Sequence, residues 1–590
     1  MSGRRMEIVV SVQPQPWPEP VPEIAAAIRA MYSGRREVPL AVQVRDQLGE
    51  LFADAEFATA FGARGKPGWS PGMLAMITVL QKAEDLTDRQ AADAVRTNLA
   101  WKYALGLELT DPGFDHTVLS EFRARVVQHR LEEKALDLLL AVLRDKGLVT
   151  AGGKQRTDST HVIAAVRDLN RLELAGEAVR ACLEALSAAA PHWVAEVLDV
   201  PGWSRRYQQR IDTWRLPASQ TKKDELALSY GKDGFTLLAA VYAPASPTWL
   251  RELPAVEILR VVLVQNYTRT VARNGREVIK RRGNDIDKDG GLPPGCRRLT
   301  SPYDTDARWG VKRDMFWNGF KVHISETCAA PAPTEPAEDA GCRCPAAQKP
   351  NLITNVATTD ATVSDSTMLE PIHQALRKRD LLPDEHYLDS GYPSAELIVG
   401  SLENFGIALI TPVLLDRSRQ AKAHEGFAAS DFAVDWQAQR VTCPAGQLSS
   451  SWTPCVQDGV PKTVVTFSKT VCGSCPHRAQ CTTAKSGRRQ ISLHPREMTE
   501  ALRRARAEQE TQDWQKDYAL RAGVEGTIRQ ATAVTGLRRA RYRGLAKTHL
   551  DHVYSAAALN LIRLDAWWNG HPLDRTRTSH LSRLELSLAA

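Results

Sequence analysis

The chain has few cysteines and no long apolar run, and each shortage excludes a class of protein. Ten cysteines in 590 residues are too few for a disulfide-stapled scaffold, so we interpret them as buried thiols or metal ligands in a reducing compartment. No stretch approaches the ~18 consecutive apolar residues of a membrane-spanning helix. The apolar run at residues 8–10 is too short for the core of a signal peptide. We therefore expect a cytoplasmic protein with no membrane partner.

The composition is otherwise that of a large globular protein. Hydrophobic residues make up 43% of the chain and charged residues 25%, a balance that excludes global disorder. The length calls for at least two folded units. The net charge of +7 permits nucleic-acid binding without demonstrating it. No GxxxxGK[ST] motif is present, so the sequence offers no ATP site of that kind.

Changes in composition and hydrophobic pattern along the chain predict eight segments. In the core segments, predicted strands alternate with helices, which indicates an α/β core. The segment at 41–147 consists of short polar helices with turns between them, which suits a helix-turn-helix-like DNA-binding domain. One of its helices has Ser70 as N-cap and Pro71 as first helical residue. A helical bundle without a nucleic-acid role is the alternative. The predicted segments are a proline-punctuated leading segment (1–40), the helical domain (41–147), the first part of the core (148–166), a helical insertion (167–300), the second part of the core (301–412), a cysteine-containing insertion (413–496), the C-terminal part of the core (497–565) and a tail (566–590).

Three acids lie at or near the borders of predicted elements. Asp158 lies within or at the end of a β-branched run, Asp389 ends another strand-like run, and Glu525 lies in a helical stretch. Clustered carboxylates repel one another, and magnesium or manganese ions relieve that repulsion with oxygen ligands. Two such ions suit phosphodiester chemistry. The chain contains 69 acids, however, so placement alone does not distinguish these three from helix caps and surface groups.

The sequence motifs around these acids are more specific evidence than the placement of the acids. Tyr518, Arg521 and Glu525 are spaced i, i+3 and i+7, which predicts one face of a helix. This spacing resembles the Tyr-Arg-Glu-Lys signature of DDE transposases from bacterial insertion sequences. The family's lysine position is Thr532 in this chain, which leaves the role of that lysine unassigned. Two basic residues are candidates to replace it, Arg529 and Lys547.

Other sequence motifs extend the resemblance over roughly residues 40–565. RTDSTHV and YLDSGYPSAEL resemble the segments that carry the family's two aspartates, and GLRRARYRGLAKTHLDHVYSAAALNL resembles its basic tail. The resemblance implies a ribonuclease-H-like core interrupted by insertions, behind a helical DNA-binding domain. It also implies magnesium or manganese held by Asp158, Asp389 and Glu525. The implied activity is cleavage at transposon ends followed by strand transfer into target DNA.

The resemblance implies partners as well. They are double-stranded DNA, namely terminal inverted repeats and target DNA, and a second copy of the chain in a synaptic complex. The implied location is the bacterial cytoplasm, in association with the nucleoid. Two alternatives stay open: a catalytically silent repressor derived from a transposase, and a plain metal-dependent nuclease.

Four of the cysteines form a second constellation, a CxxC pair with one cysteine before it and one after it. Thiolates in this pattern can hold zinc tetrahedrally, and four protein ligands make the ion structural. Cys455 and His477 are alternative ligands, and scattered buried thiols are the alternative interpretation. The four expected ligands are Cys443, Cys472, Cys475 and Cys481.

Basic residues follow Glu525 with no acid among them as far as position 547. Arginines can clamp phosphates, and Tyr542 among them is placed to stack on a base. A solvated charged face is the alternative. The residues that we expect to contact DNA are Tyr518, Arg521, Arg529, Arg538, Arg539, Arg541, Arg543 and Lys547.

Overall fold

The structure, a computed structural model, is a mixed α/β protein. It describes residues 10–34, 37–62, 64–211, 216–312, 314–328, 349–415, 419–423, 426–457 and 459–571. The sequence from 329 to 350 is rich in proline, alanine and glycine and predicts a loop. Most of this segment, with Cys342 and Cys344, lies outside the described ranges, as does most of the expected tail. None of the helices in the described ranges has the length and apolar character needed to cross a membrane.

Short helices make up the N-terminal region. Ser70 caps one of them as predicted, because its hydroxyl oxygen accepts a hydrogen bond from the backbone N–H of Met73 at 3.0 Å. The leading segment differs from expectation, since its helix buries Ile24 and Ile28 in the main core. The elements are β1 (Val10–Ser11), α1 (Pro22–Tyr32), α2 (Leu40–Leu48), β2 (Lys66–Pro67), α3 (Pro71–Ala83), α4 (Asp88–Thr97), α5 (Leu99–Leu105), α6 (Thr117–Gln128) and α7 (Lys134–Asp145).

The first strand of the main sheet precedes a mostly helical insertion. The insertion has a core of its own, separate from the main one. It also contains a two-stranded hairpin that the helical prediction missed. The elements are β3 (Lys154–Ile163), α8 (Arg171–Ala189), α9 (Pro191–Val197), α10 (Val200–Tyr207), α11 (Gln220–Val241), α12 (Pro254–Asn266), β4 (Tyr267–Val271), β5 (Glu277–Arg281) and α13 (Ile286–Asp289).

The chain then returns to the main sheet. Strand-like sequences at 317–325, 352–358, 385–389 and 407–412, which favour an α/β core, all contain strands. The elements are β6 (Arg308–Lys312), β7 (Met315–Thr327), β8 (Ile353–Asp360), α14 (Leu369–Lys378), β9 (Glu385–Tyr387), α15 (Ala395–Phe405) and β10 (Ala408–Ile410).

The main sheet has six strands, with β3 near its centre. On one side of β3 lies β7, which is antiparallel to it and pairs in turn with β6 and β8. On the other side β9 is parallel to β3, and β10 is parallel to β9. Because β3 and β9 are parallel, the residues that follow their paired positions emerge at the same edge of the sheet.

The cysteine-containing insertion is rich in short strands and has a third, small core. The helices that follow lead back to the main core. The elements are α16 (Arg419–Ala423), β11 (Ala433–Asp435), β12 (Arg440–Thr442), β13 (Ser451–Gln457), β14 (Val460–Thr466), α17 (Lys469–Gly473), α18 (Arg478–Cys481), β15 (Gln490–Leu493), α19 (Arg496–Glu508), α20 (Gln512–Tyr518), α21 (Gly523–Thr535) and α22 (Leu545–Trp568).

Helix α22 joins the N-terminal helices to the sheet. It packs on α3 and α7 and on strand β8, and most of its residues are buried. A buried ion pair links Lys82 of α3 with Asp551 of α22. The helical N-terminal region and the sheet therefore share one continuous hydrophobic core.

Candidate active site

Asp158 lies in the middle of β3 with its carboxylate largely buried. One oxygen accepts a hydrogen bond from the backbone N–H of Ser159 at 2.7 Å, and the other contacts the guanidinium of Arg521 at 2.7 Å. Burial raises the pKa of Asp158 to about 6; the charge of Arg521 opposes the shift and that of Asp389 adds to it. A carboxyl group with this pKa is ionised at neutral pH only at an energetic cost.

Asp389 follows the parallel neighbour of that strand. Arg156 of β3 pairs with Tyr387 of β9, and each aspartate lies two residues further along its chain. The two acids are therefore nearly level on neighbouring strands, at the point where β9 has ended and β3 continues. The Asp389 carboxylate accepts a hydrogen bond from the backbone N–H of Gly391 at 2.9 Å.

Glu525 reaches the same place from α21, in whose first turn it lies. Its carboxylate is 61% exposed and contacts the guanidinium of Arg521 at 2.8 Å. Arg521 itself lies in a 3-10 turn between α20 and α21. The expected continuous helix through Tyr518, Arg521 and Glu525 is therefore interrupted, although the i, i+4 contact between Arg521 and Glu525 survives.

Arg521 is the cation of this cluster. Its guanidinium bridges Asp158 and Glu525. Burial works against its charge, but the charges of Asp158, Tyr518, Asp389 and Glu525 outweigh burial and raise the pKa of Arg521. The structure thus places two of the predicted acids, Asp158 and Glu525, in contact with one arginine, and the third, Asp389, near enough for its charge to act on Asp158 and Arg521. Negative charges outnumber positive ones among these four side chains.

Tyr518 holds the preceding helix against the sheet. Its hydroxyl donates a hydrogen bond to the backbone carbonyl of Leu388 at 3.1 Å, next to Asp389. Its ring is stacked on that of Trp514 with centroids 4.7 Å apart. Burial raises the pKa of Tyr518. The phenol is therefore engaged within the protein.

Sequence reasoning missed a fourth acid beside the cluster. Asp365 accepts a hydrogen bond from the hydroxyl of Ser159 at 2.9 Å and pairs with Lys321 at 2.9 Å. A side chain added at Gly391 would lie 3.1 Å from an Asp389 oxygen and 3.5 Å from an Asp365 oxygen. The two carboxylates therefore flank one glycine. No sequence pattern distinguished Asp365 from the chain's other acids.

A second arginine–carboxylate network lies behind the cluster and was also missed. Glu326 of β7 is completely buried and pairs with Arg156 of β3 at 2.6 Å and with Arg563 of α22 at 2.8 Å. It also accepts a hydrogen bond from Thr527 of α21 at 2.6 Å. This network ties the strand that carries Asp158 to the helix that carries Glu525.

Arg156 extends the network to the turn that holds Arg521. Its guanidinium donates a hydrogen bond to the backbone carbonyl of Leu520 at 2.7 Å. A Cβ atom at Gly523 would lie 1.9 Å from that guanidinium. Only glycine therefore allows α21 to begin this close to the sheet.

The residues predicted to contact DNA have different surroundings. Arg538 donates a hydrogen bond to the hydroxyl of Thr160 at 3.0 Å, and Arg541 is paired with Asp85. The ring of Tyr542 lies near the cationic groups of Lys82 and Arg123, so its expected stacking on a base is not available in this arrangement. The side chains that are exposed to solvent are Arg529, Arg538, Arg539, Arg541, Arg543 and Lys547.

The four predicted zinc ligands line one small cavity in the cysteine-containing insertion. Burial raises the pKa of Cys481, with Arg489 opposing; the charges of Cys472, Cys443 and Cys475 add to the rise, which reflects how near these thiols are. As the side chains stand, no group of three or more His, Cys, Asp or Glu residues within the described ranges could hold a metal ion. That statement covers both the cysteines and the acids around Arg521.

Comparison with known families supports the class that this geometry indicates. Residues 442–565 match the family model described as a transposase DDE domain, and residues 35–125 match the one described as a transposase domain (DUF772). The first match contains Glu525 and the four clustered cysteines; Asp158 and Asp389 lie outside both. No curated protein and no solved structure matches the chain.

The chain thus matches transposase domains in two separate segments. Both matches are consistent with the resemblance to insertion-sequence DDE transposases, which was first drawn from the motifs around Asp158, Asp389 and Glu525. Domains of this kind depend in general on divalent metal and act on DNA.

Proposed function

We propose that the protein is a DDE transposase that cuts DNA at the ends of a mobile element and joins those ends to target DNA. The observation that carries the proposal is the meeting of Asp158, Asp389 and Glu525 around Arg521 in a chain with two transposase domains. We also propose that the main sheet is a ribonuclease-H-like core. Its strands come from both sides of an inserted helical unit, as a core interrupted by insertions requires.

The donor chemistry of the site fits magnesium or manganese. Asp158, Asp389 and Glu525 offer carboxylate oxygens, the ligands that these ions prefer. Their negative charge is balanced only in part by Arg521. Held by these three residues, the ions would activate the attacking oxygen and stabilise the leaving one. Because Arg521 now lies between Asp158 and Glu525, it must move aside for the acids to close on an ion.

The protein's own groups prepare this site for phosphate chemistry. With a pKa of about 6, Asp158 is ionised at neutral pH and becomes protonated as the pH falls through 6. Displaced from the acids, the guanidinium of Arg521 is free to contact a phosphate oxygen.

The proposed reaction has two balanced steps. In cleavage, a water oxygen bonds to phosphorus, the bond between phosphorus and the 3′ oxygen breaks, and that oxygen takes a proton. In joining, the freed 3′ hydroxyl attacks a target phosphodiester; one bond to phosphorus forms, another breaks, and the proton passes to the leaving oxygen. Joining conserves the number of phosphodiester bonds, so it consumes no nucleotide triphosphate.

Binding and catalysis are proposed to use different surfaces. The helical N-terminal domain and the exposed arginines after Glu525 would hold double-stranded DNA, through contacts that are largely electrostatic. Two DNA ends must meet before joining, and we propose a homodimer for that synaptic complex. The protein would act in the cytoplasm, on the DNA of the nucleoid.

The test is Asp389→Asn, which removes one charge at nearly constant shape. We expect cleavage of transposon-end DNA with magnesium to fall by at least about 1,000-fold, while binding of the same DNA largely survives. Glu396→Gln, at an exposed acid in the first turn of α15, is the matched control and should retain full cleavage. Near wild-type cleavage by Asp389→Asn would refute the catalytic assignment.

The same assay separates the two alternatives. A silent repressor would bind end DNA and cut none of it in the wild-type form. A plain nuclease would cut but would produce no joined product in a strand-transfer assay. Our proposal requires both cut ends and joined product.

A further inference from the structure

Four thiols that the proposed reaction does not use converge in the cysteine unit, which we define as residues 426–493. Cys443 follows β12, Cys472 lies in α17, Cys475 follows that helix, and Cys481 ends α18. All four line a cavity of about 30 Å³. This volume exceeds the ~10–15 Å³ that a single water molecule needs, so a single small ion has room there.

The rest of the cavity wall combines apolar and polar side chains. Two of its residues, Phe432 and Phe467, are buried rings with centroids 5.7 Å apart. The polar members of the wall are Gln447, Arg478, Thr482 and Arg489. The four cysteines are the groups of this wall that are typical ligands of a soft metal ion.

The local backbone already supports one of the sulfurs. The N–H of Gln447 donates a hydrogen bond to the Cys443 sulfur at 3.4 Å, and the N–H of Cys443 donates one to the carbonyl of Gln447 at 2.8 Å. Gly446 closes this turn with a φ of 77°. Hydrogen bonds of this kind stabilise thiolates and orient metal ligands.

A second observation concerns the size of the core around these thiols. A segment this short with so few buried apolar side chains gains little stability from burial, and such units commonly depend on a metal or a disulfide. Three of the cysteines, Cys443, Cys472 and Cys481, pack directly against that core. In the described part of the unit its buried hydrophobic members are Phe432, Val441, Val465, Phe467, Ile491 and Leu493.

We propose that Cys443, Cys472, Cys475 and Cys481 bind one structural zinc ion that stabilises the cysteine unit. Zinc favours four thiolates at sulfur distances near ~2.3 Å in tetrahedral geometry. As they stand, the thiols do not form a closed ligand set, so binding turns their side chains into the cavity and releases the thiol protons. The ion supplies the cross-link that the small core lacks. With four protein ligands it takes no part in the DNA chemistry, so the proposal does not depend on the proposed function.

Metal analysis of the intact protein, purified without chelator, tests the proposal. We expect about one equivalent of zinc per chain in the wild type and less than about half an equivalent in Cys475→Ser. Cys455→Ser is the matched control, because that cysteine lies on β13 of the same unit and does not line the cavity. Less than about half an equivalent in the wild type, or equal zinc in Cys475→Ser, would overturn the proposal.

Cobalt titration of the wild-type protein keeps the test decisive if Cys475→Ser fails to fold. After removal of bound metal under reducing conditions, one equivalent of cobalt should produce the intense visible absorption of a tetrahedral thiolate site, and zinc should abolish it. Weak octahedral-type absorption, or mass spectrometry of the native protein showing a disulfide between Cys472 and Cys475, would refute a four-thiolate site. Neither readout involves DNA cleavage, so failure here leaves the proposed function untouched.

Discussion

Two carboxylate centres lie side by side on the main sheet and are neutralised in opposite ways. Around Glu326, one buried acid meets two arginines, Arg156 and Arg563. Around Arg521, one arginine contacts two acids, Asp158 and Glu525, and the charge of a third, Asp389, acts on it as well. Arg156, which pairs with Glu326, and Asp158 are only two residues apart on β3, so both centres share one strand and one scaffold.

The pKa values reflect this difference. Burial alone would raise the pKa of Glu326, but Arg563 and Arg156 outweigh it and hold that pKa below its usual value. Burial raises the pKa of Asp158 to about 6, because Arg521 compensates incompletely and Asp389 adds to the shift. In the compensated centre, around Glu326, the arginines balance the acid, and the centre helps to hold the fold together. In the uncompensated centre, around Arg521, negative charge is left over, and a further cation can bind.

Breaking the compensated centre should have the largest effect on stability. Glu326→Gln leaves Arg156 and Arg563 buried without their counter-charge, and we expect the free energy of unfolding to fall by about 3–5 kcal/mol. Chemical denaturation monitored by circular dichroism measures this change. A loss within ~0.5 kcal/mol of zero, as for an ordinary surface substitution, would show that Glu326 does not anchor the sheet to α21 and α22.

Removing a negative charge from the uncompensated centre should instead raise the free energy of unfolding. Because the pKa of Asp158 is higher in the folded protein than in the unfolded chain, this group lowers stability as the pH rises from about 4 to about 6. Asp158→Asn removes that penalty, so we expect unfolding without divalent metal to cost about 2 kcal/mol more than in the wild type near pH 7.5. The difference should disappear below about pH 4. A variant less stable than the wild type at neutral pH would contradict the proposed excess of negative charge.

The smallest expected effect is on the salt dependence of DNA binding. It should differ between an arginine of the basic segment that is free to bind phosphate and one that is paired with an acid. Exposed Arg539 is available to phosphate, so Arg539→Ala should reduce the log–log salt slope of DNA binding by about 0.9. Arg541 is already paired with Asp85, so Arg541→Ala should change the slope less. Fluorescence anisotropy over a series of salt concentrations measures both slopes. Equal changes in the two variants would mean that the internal ion pair does not limit DNA contact.

Short sequence motifs were sufficient to predict the local structure around each acid of the uncompensated centre. The strands around Asp158 and Asp389, and the turn of helix at Glu525, follow from β-branched runs, glycine and helical spacing. The words matched to a family then selected three acids out of 69. Asp158 and Asp389 lie close together because β3 and β9 pair in parallel, an arrangement that an alternation of strands and helices favours.

The compensated centre could not be predicted, because its members are far apart in the chain. Glu326 is 170 residues from Arg156 and 237 from Arg563. Arg156 begins the motif RTDSTHV, but no sequence pattern links it to the other two residues. The 3-10 turn at Arg521 was missed for a related reason. Arg156 holds the backbone carbonyl of Leu520 from the sheet, so a tertiary contact, and not helical spacing, sets the local geometry.

We propose that the acids around Arg521 bind divalent metal. Thermal unfolding with about 10 mM magnesium chloride and with potassium chloride of equal ionic strength tests this, because a ligand that binds only the folded state raises the melting temperature. We predict that magnesium raises the melting temperature of the wild type and of Glu396→Gln but leaves that of Asp389→Asn unchanged. Equal shifts in all three proteins, or no shift in the wild type, would contradict the claim.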